Sequence, residues 1–511
     1  MNKPTILGLS ASLRAARSKS GARNLPLEIA ALESRERLDA FLVEQAKIHL
    51  DQFVEAGRKD GLPFDKIYRQ LQKTEGLRGL SNSEICLSAA LWGARNQGAE
   101  IDHVALSNHF RADGTGADLE SLKQALMAAD GILLSTPVYF GDRGSLSQRL
   151  IEMIRADEDL RLALTGKVYG GLAVGAKRNG GQETTLIYQM LDMLDMGLLA
   201  VGNDSDTTSQ YGGTTHAGDI GTSPKDLYGI NTCIGTGRRI ARVSAELEAG
   251  KLAEISDQPQ LGVWLLQDRH GEMAAHLESF LAAAEAEINL LNPVGRKIRP
   301  CIACDICPTH IGPDDEYRCI IGRRDDGMKD LHADLLTPDI LMPALFSPKN
   351  REGLVSVYQE FMERTRYLRR GDYVFTDRLV APLIFAEIGT AEHLDVRVMT
   401  SFIRHHTVMC RPIVGWLKDG KLINGEDVAE GIARAVREGR RLTAGRLASS
   451  SLELAGTQYR PVGYVLAQAK DNEVLAMDAR EVAVDQRQAR LAEEARRRLK
   501  PVRGTSKLGA A

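Results

Sequence analysis

Four of the seven cysteines lie between Cys301 and Cys319. Cys301, Cys304 and Cys307 recur at every third position, and Cys319 follows after residues 308–318. Thiolates are strong ligands for soft metals, and three ligands wrapped around one corner with a distant fourth is a common way to hold an iron–sulfur cluster. Zinc sites more often group their ligands in pairs, which argues against zinc but leaves a structural zinc open. Plain structural cysteines, or a transient disulfide, are the third account of the same pattern.

A second chemistry is written near the N-terminus. The loop Ser10-Ala11-Ser12-Leu13-Arg14-Ala15-Ala16-Arg17-Ser18-Lys19-Ser20 offers hydroxyls, cations and backbone N–H groups after a short apolar run. At the start of a helix such a loop favours a phosphate. By itself it is equally a polar loop with an N-cap serine. Two further loops follow apolar runs: Ser135-Thr136-Pro137-Val138-Tyr139-Phe140-Gly141, and Gly175-Ala176-Lys177-Arg178-Asn179-Gly180-Gly181-Gln182-Glu183. The first is suited to lining a flat apolar slot, the second to bringing backbone N–H groups close to a ligand.

These loops need strands and helices to hold them. The pattern predicts strands over 5–9, 101–106, 131–135, 168–174 and 198–201, with helices over 118–129, 146–155, 181–196 and 236–253. A charged stretch of helical periodicity at about 32–79 reads as an inserted pair of helices, and 203–231 as a long Gly/Thr/Ser/Asp loop. Strands alternating with helices indicate a parallel sheet covered on both faces. After a linker at 254–259 the rhythm restarts, with strands expected over 262–266, 288–291, 339–342 and 383–385 and a fifth around Val408. The expected organisation is therefore α/β: two tandem doubly wound parallel sheets, the second diverged. The domains are placed at 1–255 and 260–450, with a C-terminal extension over 451–511 that is an exposed helix after about Asp485 and then disorder.

The segments STPVYFGDRGSLSQRLIEM and VGAKRNGGQETTL, each following a strand, resemble the flavodoxin-like NADPH-dependent FMN reductase family. That resemblance implies an FMN-binding first half. It assigns Ser10, Ser12, Arg14, Ser18 and Ser20 to the phosphate, Pro137, Val138, Tyr139 and Phe140 to the ring, and Asn179, Gly180 and Gly181 to the ring's polar edge. The stretch RPCIACDICPTHIGPDDEYRCIIGRRDDGMKDL resembles the cysteine loop of iron–sulfur flavoproteins, a branch of the same family. It implies a 4Fe-4S cluster on Cys301, Cys304, Cys307 and Cys319, with zinc as the alternative. Two departures, an extra Gly327 and a longer gap before Cys319, bear on the fourth ligand. The second half lacks the flavin loops: its first strand leads into Gln267-Asp268-Arg269-His270-Gly271-Glu272, which is acidic where a phosphate would sit.

Composition narrows the function classes. With 65 basic and 68 acidic residues the net charge is −3, and aromatics are only 5%, so nucleic acid is not expected as a partner. No apolar run is long enough to cross a bilayer, and a cytoplasmic protein without membrane contact is expected. The resulting expectation is an FMN-dependent oxidoreductase with an iron–sulfur cluster. It would take electrons from NAD(P)H or a reduced protein, act on a small-molecule or protein redox partner, and be a homo-oligomer or a subunit of a complex. No catalytic side chain is assigned, because a flavin supplies its own redox chemistry. A flavin or quinone reductase with a structural zinc is one alternative, and a non-catalytic electron-transfer or assembly subunit is another. His216 is expected as a surface histidine in the long loop, His405 and His406 as strand neighbours facing opposite ways, and Cys86, Cys233 and Cys410 as plain buried cysteines.

Overall fold

The computed structural model describes residues 3–13, 24–57, 63, 66, 79–110, 116–204, 211–218, 221–304, 306–307, 313–322, 325–370, 373–450 and 470–500. By its contacts the chain divides into two compact units, Asn2–Ser244 and Ala245–Ala511.

In the first unit, β1 (Thr5–Ser10) pairs in parallel with β2 (Glu100–Ala105) on one side and β3 (Gly131–Tyr139) on the other. β3 continues to β5 (Val168–Gly175), whose lower half pairs with β6 (Leu199–Val201) and upper half with β7 (Gly213–His216). A two-residue β4 (Asp142–Arg143) folds back antiparallel on β3. The order of the parallel strands is thus second, first, third, fourth, fifth, the doubly wound arrangement of flavodoxin-like folds. β3 and β5 are buried on both faces through Ile132, Leu133, Leu134, Val168, Leu172 and Ala173, which is why they read as continuous apolar runs.

Helix α3 (Asn82–Asn96) packs across β1, β3 and β5, and Ile85, Cys86, Leu87, Ala89, Ala90 and Leu91 on it are all fully buried. A helix apolar all round needs cover on its outer side. The insertion supplies it: α1 (Leu25–Ala30) and α2 (Arg35–Gly57) pack on α3, and the Trp92 indole N–H donates to the Leu32 carbonyl at 2.9 Å. The region expected as a loop over 203–231 contains β7, and α7 (Leu227–Leu252) begins earlier than its predicted start at 236. β7's Gly-Thr-Thr-His is too polar to announce a strand, and its pairing with β5 decides the matter. Further helices of this unit among the described residues are α4 (Leu119–Ala128), α5 (Ser145–Ala156), a short helix over Glu158–Leu164, and α6 (Gln182–Asp195).

The second unit repeats the same strand order. β9 (Glu287–Leu291) pairs with β8 (Gln260–Arg269), and β8 with β10 (Ile340–Ser347). β10 pairs with β12 (Leu379–Val380) and β13 (Leu383–Glu387), which continue to β14 (Val408–Met409) and β15 (Ile413–Lys418) respectively. The breaks between β12 and β13 and between β14 and β15 fall at Pro382 and Pro412, residues without a ladder donor. β11 (Leu354–Ser356) runs antiparallel to the last residues of β8, and α8 (Glu272–Ala282) and α10 (Leu394–Phe402) are among the helices of this unit. His405 and His406 are not on a strand; His405 ends a short 3-10 turn, and His406 is left-handed with its ring stacked 3.5 Å from that of Tyr373.

The C-terminal helix α12 (Lys470–Arg498) differs from the exposed helix expected. Its end packs Leu491, Ala495 and Leu499 against Ile255, Ala444 and Leu447, the last two on α11 (Gly425–Ser450). Arg498, buried, forms ion pairs with Asp339, Asp257 and Glu494. The Arg/Glu-rich composition hid this apolar stripe.

Candidate flavin site and cysteine loop

All three loops singled out in the sequence leave the same, carboxyl-terminal edge of the first sheet. Ser10 on β1 is level with Ser135 on β3, Ser135 with Leu172 on β5, and Pro137 with Val174. In an open parallel sheet this edge, where the strand order reverses, is where ligands bind. The β3 and β5 loops touch: a Cβ built on Gly181 would stand 2.6 Å from the Gly141 Cα.

Pro137 and Val138 are half-buried at the end of β3, and Tyr139 and Phe140 are exposed beyond them. The β3–β4 hairpin fixes their attitude. Gly144 N–H donates to Thr136 Oγ1 at 3.0 Å, and the Arg143 guanidinium is clamped on the Asp192 carboxylate of α6 together with Arg155. The glycine loop is stapled from below by Gln182, which is buried. Its Nε2 donates to the carbonyls of Lys177 (2.7 Å) and Thr215 (2.9 Å), and its Oε1 accepts from Gly180 N–H at 2.9 Å. Asn179, Gly180 and Gly181 are therefore held as a backbone ledge beside two exposed aromatic side chains.

The phosphate end is less simple than the sequence suggested. Ser10 and Ser12 sit at the end of β1, but the Ser10 hydroxyl lies 3.2 Å from His103 Nε2 and is fully buried. Arg14, Ser18 and Ser20 lie outside the described residues. Because the helical insertion interrupts this loop, the sheet-covering helix starts far along the chain, at Ser81-Asn82-Ser83. There Ser81 and Glu84 form a reciprocal capping box, and Ser135 Oγ donates to the Ser83 carbonyl at 2.7 Å, bringing this helix start to the ends of β1 and β3. The box takes the N–H groups of Ser81 and Glu84; helix geometry leaves those of Asn82 and Ser83 without intrahelical partners. Asn82 Oδ1 is a buried atom with no hydrogen-bond partner. Sequence reasoning missed this triplet, although Ser-x-x-Glu before an apolar run is a recognisable helix start. Helix-start N–H groups, two exposed aromatic side chains and a backbone ledge lie along one edge, a donor and ring set that suits FMN.

The four cysteines do not fit a metal in this conformation. All are partly exposed and none is in a disulfide, and among the described residues no group of three or more His, Cys, Asp or Glu side chains is placed to hold a metal ion. The described parts of the loop are anchored at both ends. Cys301 N–H donates to Glu363 Oε2 at 3.2 Å, holding one end on α9 (Tyr358–Arg364). The other end is drawn towards α12, whose Arg487 grips the Asp314 carboxylate at 2.7 and 2.8 Å. His332 Nε2 donates to the Asp314 carbonyl at 2.9 Å, and Tyr367 donates to His332 Nδ1 at 2.6 Å. Burial, with Tyr317, Cys319 and Cys307 adding to it, pushes the Tyr367 phenol well up, so the phenol keeps its proton for this bond. Cys86, Cys233 and Cys410 are buried, as expected, with Cys86 Sγ 2.8 Å from Thr215 Oγ1.

The model of a family described as NADPH-dependent FMN reductase matches residues 76–206, which begins just before α3 and takes in the ring and glycine loops. An iron–sulfur flavoprotein of Methanocaldococcus jannaschii is 38% identical over 177 residues, covering 32% of this chain and 90% of that protein. An NAD(P)H dehydrogenase (quinone) of Methylocella silvestris is 31% identical over 185 residues, covering 30% of this chain and 87% of that protein. A crystal structure of a WrbA-like flavodoxin from Agrobacterium tumefaciens overlaps 32% of this chain and 88% of its own, at 20% identity and a TM-score of 0.25. The chain belongs to the flavodoxin-like NADPH-dependent FMN reductase family, whose members are FMN-dependent NAD(P)H oxidoreductases. No helix among the described residues is long and apolar enough to cross a membrane.

Proposed function

We propose that the chain binds FMN at the carboxyl-terminal edge of its first sheet and uses NAD(P)H to reduce a quinone-type acceptor. The observation that carries this is the convergence of the three loops, with Gly181 against Gly141 and the α3 start tied to Ser135. When bound, the flavin would supply hydride chemistry that no side chain can. The residues have separate tasks. Asn82, Ser83 and Ser12, with Arg14, Ser18 and Ser20 as further candidates, would hold the phosphate through N–H and hydroxyl donors. Pro137, Val138, Tyr139 and Phe140 would flank the ring and exclude water from it, and Asn179, Gly180 and Gly181 would orient its polar edge. The quinone class rests on the printed name of the Methylocella silvestris relative.

The cysteine loop adds an iron–sulfur cluster to this reading, supported by the spacing of Cys301, Cys304, Cys307 and Cys319 and by the name of the Methanocaldococcus jannaschii relative. The second sheet would carry no flavin. Its corresponding edge is occupied by β11 and by Arg269, which bonds Glu272 at 2.7 Å, Glu387 at 3.4 Å and the Asn350 carbonyl at 2.7 Å. Purified protein would be assayed for FMN, iron and acid-labile sulfide per chain, and for NAD(P)H oxidation with a quinone. One FMN per chain with turnover is expected; protein that binds no FMN overturns the reading, and FMN without iron overturns the cluster alone.

A further inference from the structure

A histidine–carboxylate pair stands on the same sheet edge and has no part in the reading above. His216 ends β7, level with Gly175 at the end of β5. The next residues stay paired with the root of the glycine loop: Ala217 N–H donates to the Gly175 carbonyl at 2.9 Å and Gly218 N–H to that of Ala176 at 2.8 Å. Asp226 lies beneath them with its side chain 4% exposed. Its Oδ2 accepts from the His216 N–H at 2.9 Å and lies 3.0 Å from His216 Nδ1. Its Oδ1 accepts from Gly229 N–H at 3.0 Å and from the Arg178 guanidinium.

The chemistry of this cluster is directional. An ionised carboxylate only accepts, so the hydrogen on the imidazole's inner nitrogen must sit on Nδ1. Nε2 is then the nitrogen left to exchange a proton, on a ring whose side chain is 39% exposed. Arg178, on the glycine loop itself, joins the same carboxylate and lies 5.0 Å over the ring of Tyr228, so Asp226 fixes the loop and the histidine together.

We propose that His216 is the proton donor of the redox site and that Asp226 is its positioning residue. This rests on the flavin and quinone reading above. Reducing a quinone with NAD(P)H consumes one hydride and one proton. The hydride that originates on NAD(P)H brings the electron pair and one hydrogen. The Nε2–H bond of the His216 imidazolium breaks as an O–H bond forms on the quinone. The imidazole left behind is neutral, held through Nδ1–H by Asp226, and recovers a proton from solvent at its exposed edge.

The test compares a quinone with ferricyanide, a one-electron acceptor that takes up no proton, in wild type, His216→Gln and Asp226→Asn, each with bound FMN quantified. A positioned general acid contributes about 10²-fold or more, so the quinone-to-ferricyanide rate ratio should fall by at least about tenfold in His216→Gln, in kcat rather than KM. The ratio should fall less in Asp226→Asn, and imidazole in the buffer should restore part of it in His216→Ala. An unchanged ratio, or equal losses with both acceptors, in protein that retains one FMN per chain would overturn the assignment. Wild type without FMN or without quinone turnover would instead overturn the reading on which it rests.

Discussion

Replacing Gly181 by alanine should weaken FMN binding while leaving the fold intact. Gly181 has φ of +99°, and an added Cβ would stand 2.6 Å from Gly141 Cα and 3.3 Å from Gly141 N. A side chain at positive φ costs about 1–2 kcal/mol. The atoms in the way are backbone, so the glycine loop and the tip of the β3–β4 hairpin must move apart towards ordinary contact. If FMN needs both loops where they stand, about 2 kcal/mol of strain appears as about 30-fold weaker binding. Gly98 provides an internal comparison: its φ is +95°, but nothing lies within 4 Å of an added Cβ. Gly98→Ala should cost about 1 kcal/mol of stability and leave FMN affinity within about twofold. Both variants would be titrated into FMN while its fluorescence quenching is followed, with Tm recorded alongside. A folded Gly181→Ala protein that binds FMN as tightly as wild type would refute the assignment of this contact to the flavin site.

Other consequences are open to direct measurement. Burial alone would raise the Asp339 carboxyl, but the hydrogen bonds and charge of Arg498 and Arg446 hold it below its ordinary range. Its contribution is therefore complete above about pH 4 and lost as pH falls further. Asp339→Asn should cost about 3 kcal/mol in urea unfolding at pH 7 and less at pH 3. Burial, helped by Arg369 and Arg404, brings His405 down to about 3, so it is neutral in the fold. The stability it confers is full above its unfolded value near pH 6.5 and declines as pH drops towards 3. His405→Gln should flatten that decline, seen as a smaller fall in Tm between pH 7 and pH 4. In metal-free protein a thiol reagent should modify Cys301, Cys304, Cys307 and Cys319 under native conditions, and Cys86, Cys233 and Cys410 only on unfolding. Arg487→Ala should speed modification of Cys319 by releasing Asp314; an unchanged rate would show that α12 does not restrain the loop.

Much of the first unit was legible because parallel strands buried on both faces are written as unbroken apolar runs, as in Ile132 to Leu134. β7 was not, because Gly-Thr-Thr-His has no such signature and becomes a strand only by pairing with the upper half of β5. The anchored end of α12 escaped notice for a related reason. Leu491, Ala495 and Leu499 form a narrow stripe among arginines, and their burial depends on Ile255 and Leu447, distant in the chain.

The sequence by itself determined the doubly wound architecture, the three loops of the flavin edge and the thiol-rich segment, since each is a local pattern of residue types. Only the tertiary structure decided which groups meet. It brought Ser81–Ser83 to the end of β1 across an insertion, and set Asp226 under His216 and Arg178. It also anchored the cysteine segment at Cys301 on Glu363 and at Asp314 on Arg487. Spacing along a chain limits how far apart two ligands can lie. Contacts made by residues distant in the chain, such as Arg487 on Asp314, decide which of them meet.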